Sequence, residues 1–203
     1  MLTRPEELNL ANWRLPENSQ WAFHHVREIV PSEQIACGGA VDHLERQPNS
    51  AIGSLNLEGL GGVDWSLQRW LDESSSDALL VAHRGKLVHE WYADPAIETN
   101  PHIVFSVSKS MTATLAGVLV EQGVLDPARA LVDYIPELAG SGYAEASLQQ
   151  LLDMVVSIDF NEDYLDPSGK FAEYRTATAW NPCAIDAIDQ NLHDFLCSLE
   201  PGK

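Results

Sequence analysis

Apolar and polar residues change their period several times along this chain, and each change marks an element. Ala78-Leu79-Leu80-Val81-Ala82 and Leu87-Val88-His89-Glu90-Trp91-Tyr92 are strand-like runs. They flank His83-Arg84-Gly85-Lys86, and this order predicts a β-hairpin closed by a glycine-containing turn. Beyond Ser106, Met111, Leu115, Val118 and Leu119 recur at helical spacing, Ala113, Ala116 and Gly117 form a small-residue face, and Gly123 is a stop signal. That pattern predicts a long buried helix lying against a sheet. A shorter helix is predicted around Leu67, Trp70 and Leu71 with Asp64 as its N-cap. Ser147-Leu148-Gln149-Gln150 matches a capping box, continued by Leu151, Leu152 and Val155 as an amphipathic helix. Ile185, Ile188, Leu192, Phe195, Leu196 and Leu199 describe one more, after a polar, turn-rich stretch from Asp159 to Gly169.

Residues 1–62 carry Pro5, Pro16, Pro31 and Pro48 and end in Gly59, Gly61 and Gly62, with no sustained period. They read as an extended arm with Trp13, Trp21 and Phe23 as its apolar anchors, ahead of a body at 63–203. A hydrophobic content of 45% supports a core in that body. Thirty acidic against twelve basic side chains leave a net charge of −18. Such a surface repels phosphate backbones and anionic lipid, which argues against nucleic acid or membrane as partners.

No run approaches the ~20 apolar residues of a membrane span, and the first residues lack the order of a signal peptide, so a cytoplasmic setting is expected. Cys37, Cys183 and Cys197 are an odd number at unpatterned spacings and suggest neither disulfides nor a zinc site. The adjacent His24 and His25 would point about 100° apart on a helix, as surface residues do, and the sequence assigns no metal and no cofactor.

The chemistry concentrates in Phe105-Ser106-Val107-Ser108-Lys109. On a helix, residues three apart are neighbours, so the Ser106 hydroxyl and the Lys109 amine can meet within one turn as a nucleophile and its base. The helix start adds free N–H groups and a positive dipole end where negative charge would develop. A lysine acts as base only once it has lost its proton, so this reading asks for a dry cleft. A capping serine beside a solvated lysine is the competing account of the same letters.

The order helix, hairpin, Phe-Ser-Val-Ser-Lys, then Gly123-Val124-Leu125-Asp126-Pro127 and Tyr134-Ile135-Pro136-Glu137-Leu138 resembles the serine β-lactamase/penicillin-recognising hydrolase superfamily. Within it, the string from Leu151 through Asn161-Glu162-Asp163-Tyr164 is similar to the 6-aminohexanoate-dimer hydrolases, as are Trp21-Ala22-Phe23 and Val30-Pro31-Ser32. The similarity runs over about residues 20 to 200. It implies an α+β fold, an α/β sandwich with a helical subdomain, of which this chain is the N-terminal half. It implies Ser106 as a nucleophile acylated by a small linear amide, Lys109 as its activator, the Ser106 N–H as an oxyanion donor, and Tyr164 as a contact to the bound amide.

An ester or β-lactam substrate, or an inactive binding module, are the alternatives within the same fold. The family's second motif, a tyrosine followed two residues later by asparagine, has no counterpart. Tyr92, Tyr134, Tyr143, Tyr164 and Tyr174 are followed at that spacing by Asp94, Pro136, Glu145, Asp166 and Thr176. His83-Arg84-Gly85 has the letters of the third motif but precedes the serine, in a turn.

Overall fold

The computed structural model describes residues 3–36, 38–59, 61–183 and 191–202. It divides into two units, Met1–Ile103 and Val104–Lys203.

The first unit begins with helix α1, Pro16–Ala22, which has its proline in the first turn, where the missing N–H costs no hydrogen bond. Trp21 and Ala22 on α1 are buried, and Trp13 ahead of it is fully enclosed. Short elements follow: strand β1 (Glu45–Arg46), helix α2 (Ser50–Gly53), strand β2 (Asn56–Glu58) and strand β3 (Asp64–Ser66). Elements this short carry too few positions to display a period, so the sequence shows none. Strand β2 pairs antiparallel with β3, and Glu58 faces Asp64 across the ladder. Asp64 is therefore a strand residue and not the predicted cap. Helix α3, Leu67–Glu73, is capped by Ser66, whose hydroxyl accepts from the Arg69 N–H at 3.2 Å.

The predicted hairpin is present as β4 (Ala78–His83) and β5 (Lys86–Tyr92). Arg84 and Gly85 both hold left-handed backbone, with φ of 51° and 77°, which is how a two-residue reversal matches the twist of its strands. The hairpin has a neighbour that its own pattern does not announce. Strand β1 pairs parallel with β5, Glu45 opposite Lys86 and Arg46 opposite Leu87, giving the sheet order β1-β5-β4. Charged pairs reinforce the junction: Lys86 Nζ lies 2.9 Å from Glu45, and Arg46 Nη1 lies 2.8 Å from Glu90.

The second unit is built on helices α4 (Val107–Glu121), α5 (Leu148–Leu152), α6 (Lys170–Ala177) and α7 (Leu192–Cys197). The capping box at the start of α5 forms as expected, with both reciprocal bonds between Ser147 and Gln150. That helix ends at Leu152, so Val155 lies beyond it and is exposed. Leu131, Leu138, Ala146 and Leu148 form the buried centre, with Leu125, Tyr143 and Leu152 packed around it. Phe160, Phe171, Tyr174 and Phe195 make an aromatic cluster with centroids 5.8–6.2 Å apart. Of the last predicted helix, Ile185 and Ile188 lie outside the described residues.

Two expectations are corrected here. Helix α4 ends at Glu121, with Gln122 as its cap and Gly123 following at φ 72°, as its pattern requires, but it buries no residue: Met111 is 65% exposed and Leu115 59%. Apolar periodicity shows that a helix has an apolar face; it does not show that the covering surface lies in the same stretch of chain. Nor are His24 and His25 surface residues. His24 is buried, and the His25 ring stacks on Trp21 at 3.9 Å with planes 3° apart.

Candidate active site

The entry into α4 is wound by three successive i→i+3 bonds: Val107 N–H to Val104 C=O, Ser108 to Phe105, and Lys109 to Ser106, at 2.9–3.0 Å. Before this turn Phe105 sits at φ 41°, a left-handed conformation that a bulky side chain rarely adopts. Its ring meets Trp180 edge-on at 5.8 Å. Strained backbone beside a reactive group is a recurrent feature of functional sites. Nothing in the letters Phe-Ser reports a positive φ, so sequence reading gave Phe105 no role of its own and missed Trp180.

Ser106 follows in right-handed helical geometry, φ −66° and ψ −12°, whereas a capping serine ordinarily holds extended backbone. Its side chain caps no backbone N–H. Instead, Lys109 Nζ donates to Ser106 Oγ at 2.8 Å, so the hydroxyl and the amine are in direct contact. Among the described residues the Ser106 backbone N–H donates to no acceptor, which leaves it open to an incoming oxyanion. Both side chains are exposed, so the dry cleft expected around them is not formed by the described residues.

Tyr164 makes its contacts elsewhere than with this pair. It is 62% exposed, its hydroxyl donates to Glu162 at 3.4 Å, its ring lies 4.4 Å from Phe171, and the Arg175 guanidinium sits over it at 5.2 Å. Burial, with Glu162 and Tyr164 adding to it, pushes the neighbouring Tyr174 phenol up, which holds it neutral.

A helix-borne hydroxyl in contact with an amine, next to a free N–H, is an arrangement with the chemical means for nucleophilic attack on a carbonyl. The profile of the Beta-lactamase family matches residues 68–202, and the chain belongs to that family. Among curated relatives it is similar to a 6-aminohexanoate-dimer hydrolase of Paenarthrobacter ureafaciens, 32% identical over 194 residues, covering 95% of this chain and 47% of the relative. Among solved structures it matches a Bacillus anthracis protein assigned to the 6-aminohexanoate-dimer hydrolases, with a TM-score of 0.87 at 23% identity. That match covers 100% of this chain and 53% of the other. It establishes a β-lactamase-like hydrolase fold, and the chain spans about half the length of the proteins it matches. Among the described residues no helix is long and apolar enough to cross a membrane.

Proposed function

We propose that the whole protein is a serine hydrolase that cleaves a small linear amide through an acyl-enzyme. The observation that carries this reading is the 2.8 Å contact between Lys109 Nζ and a Ser106 hydroxyl that serves no cap. With its amine neutral, Lys109 takes the Ser106 hydroxyl proton as Oγ bonds to the amide carbon. The tetrahedral oxyanion is received by the Ser106 N–H at the positive end of α4. The C–N bond then breaks as the departing amine takes the proton held on Lys109, and water, giving a proton to the freed Lys109 amine, cleaves the resulting ester while that proton returns to Ser106 Oγ.

An amide is preferred over an ester or lactam because of the likeness to the Paenarthrobacter relative, which covers nearly all of this chain. Tyr164 is assigned to contact the bound amide, on the match of Asn161-Glu162-Asp163-Tyr164 to that group. The chain in hand holds no Tyr-x-Asn motif, and its Ser106 and Lys109 are exposed, so by itself it turns over little or no substrate.

A fluorophosphonate probe followed by intact-mass and peptide analysis tests the nucleophile. Labelling of the whole protein at Ser106, lost in Lys109→Ala, is expected. An unlabelled Ser106 in the whole protein would mean a binding module, and turnover of esters or lactams but no amide would reassign the substrate.

A further inference from the structure

Three side chains from distant stretches of the first unit converge on one point. His24 follows α1, Asp77 precedes β4, and His102 lies one residue before the end of the unit. Asp77 Oδ2 is 2.9 Å from His102 Nε2 and 3.5 Å from His24 Nε2, and the three atoms all lie within 4.8 Å of one another. The side chains of His24 and Asp77 are 2% and 9% exposed, and that of His102 is 38% exposed.

The far nitrogens decide the tautomers. His24 Nδ1 is 2.9 Å from the Pro101 carbonyl oxygen, and His102 Nδ1 is 2.6 Å from that of Ile103. A carbonyl only accepts, so each Nδ1 carries the hydrogen. In the neutral imidazole Nε2 is then a lone pair, and both lone pairs face a carboxylate that also only accepts. Three acceptors aimed at one another need a cation among them. A proton on His102 Nε2 would serve its 2.9 Å contact with Asp77, but protons alone leave His24 without a partner. Two imidazolium rings would crowd together at a centroid distance of 4.7 Å, and His24 Nε2, buried and 3.5 Å from Asp77, still makes no hydrogen bond.

We propose that His24, Asp77 and His102 form a binding site for a divalent transition-metal ion of the zinc class. Two imidazole nitrogens and one carboxylate oxygen are a donor set that such ions favour, and backbone carbonyls on the far nitrogens fix the rings as outer-shell groups do in metal sites. The exposed side of His102 leaves room for water as a fourth ligand. The ion would staple the end of α1, the approach to β4 and the segment Pro101–Ile103, which the Ile103 N–H already ties to the Phe23 carbonyl at 2.9 Å. Ligand-spacing rules do not detect the site, because no two of its residues share a local motif.

The test is zinc uptake by the chelator-stripped 203-residue chain, titrated with Zn2+ alone. One ion retained per chain after dialysis, a higher melting temperature with zinc, and the visible bands of four-coordinate cobalt on Co2+ substitution are expected. Asp77→Asn and His102→Gln should each weaken zinc binding by about 100-fold or more, while His43→Gln, outside the cluster, leaves it unchanged. Because the His102 side chain is partly exposed, His102→Gln should keep the circular dichroism and metal-free melting of the parent, so its loss of zinc would not reflect unfolding. Zinc not retained, or retained equally by both ligand variants, would overturn the site.

Discussion

Lys109 Nζ donates to Ser106 Oγ across 2.8 Å, within one helical turn, while the serine caps nothing. Two residues on one helical turn hold their separation whatever else moves, as the proposed roles of nucleophile and base require. In the whole protein Lys109→Ala should lower kcat and kcat/KM together by about 10⁴-fold, as removal of one member of such a unit does. Lys109→Arg should not rescue it, because a guanidinium stays protonated and cannot accept the hydroxyl proton. Ser108→Ala should retain near-parental activity, since the Ser108 carbonyl, kept in the variant, is what accepts the Thr112 hydroxyl. Steady-state kinetics on a linear amide dimer measures all three.

Phe105 offers a test of stored strain. At φ 41° any residue with a Cβ is disfavoured by about 1–2 kcal/mol, and glycine is not. Phe105→Ala and Phe105→Gly both lose the edge contact with Trp180, so their difference isolates the backbone. Phe105→Gly should be the more stable of the two by about 1 kcal/mol, the reverse of the usual order. Urea unfolding of the two variants decides it.

Two glycines should respond to alanine with opposite signs. A Cβ on Gly142 would lie 2.7 Å from the Glu200 carbonyl oxygen and 2.9 Å from its carbon, both backbone atoms that cannot rotate away. The Gly142 N–H also donates to Leu199 C=O at 2.7 Å, which holds the two segments together. Gly142→Ala should cost about 1–3 kcal/mol. Gly117, exposed in the interior of α4, has nothing within 4 Å of such a Cβ, so Gly117→Ala should stabilise by about 1 kcal/mol through helix propensity. Denaturant midpoints of the pair give both signs in one experiment.

The loop before α6 should be sensitive to acid. Asp166 accepts the Ser168 N–H at 2.8 Å and its hydroxyl at 2.9 Å, and the backbone bond first, then the hydroxyl, holds the carboxyl below its ordinary range. A carboxyl depressed in the folded state stabilises fully above its unfolded value of about 4, and that contribution is lost as pH falls through the folded value. Amide exchange of Ser168 should therefore accelerate below about pH 4, and in Asp166→Asn that acid-linked acceleration should be missing.

The comparison of expected with observed elements divides along the range of the interactions involved. The hairpin, the capping box of α5 and the extent of α4 are each signalled by residues a few positions apart, and all three are present. The cap of α3 shows the limit of that reading: Asp64 and Ser66 are both good capping residues, and pairing of Asp64 opposite Glu58 decides between them. The parallel partner of β5 is two residues long and comes from a stretch rich in proline and glycine, so nothing local marks it as a strand.

By itself, then, the sequence determined the candidate reaction centre, because residues i and i+3 on a helix must meet, and it determined the family through long shared strings. Tertiary structure alone decided that the apolar face of α4 is exposed and that His24, Asp77 and His102 share one point. The reason is physical: hydrogen bonding along the chain is dictated by neighbours. Which distant surfaces meet depends on how the whole fold buries its apolar area and satisfies its polar groups.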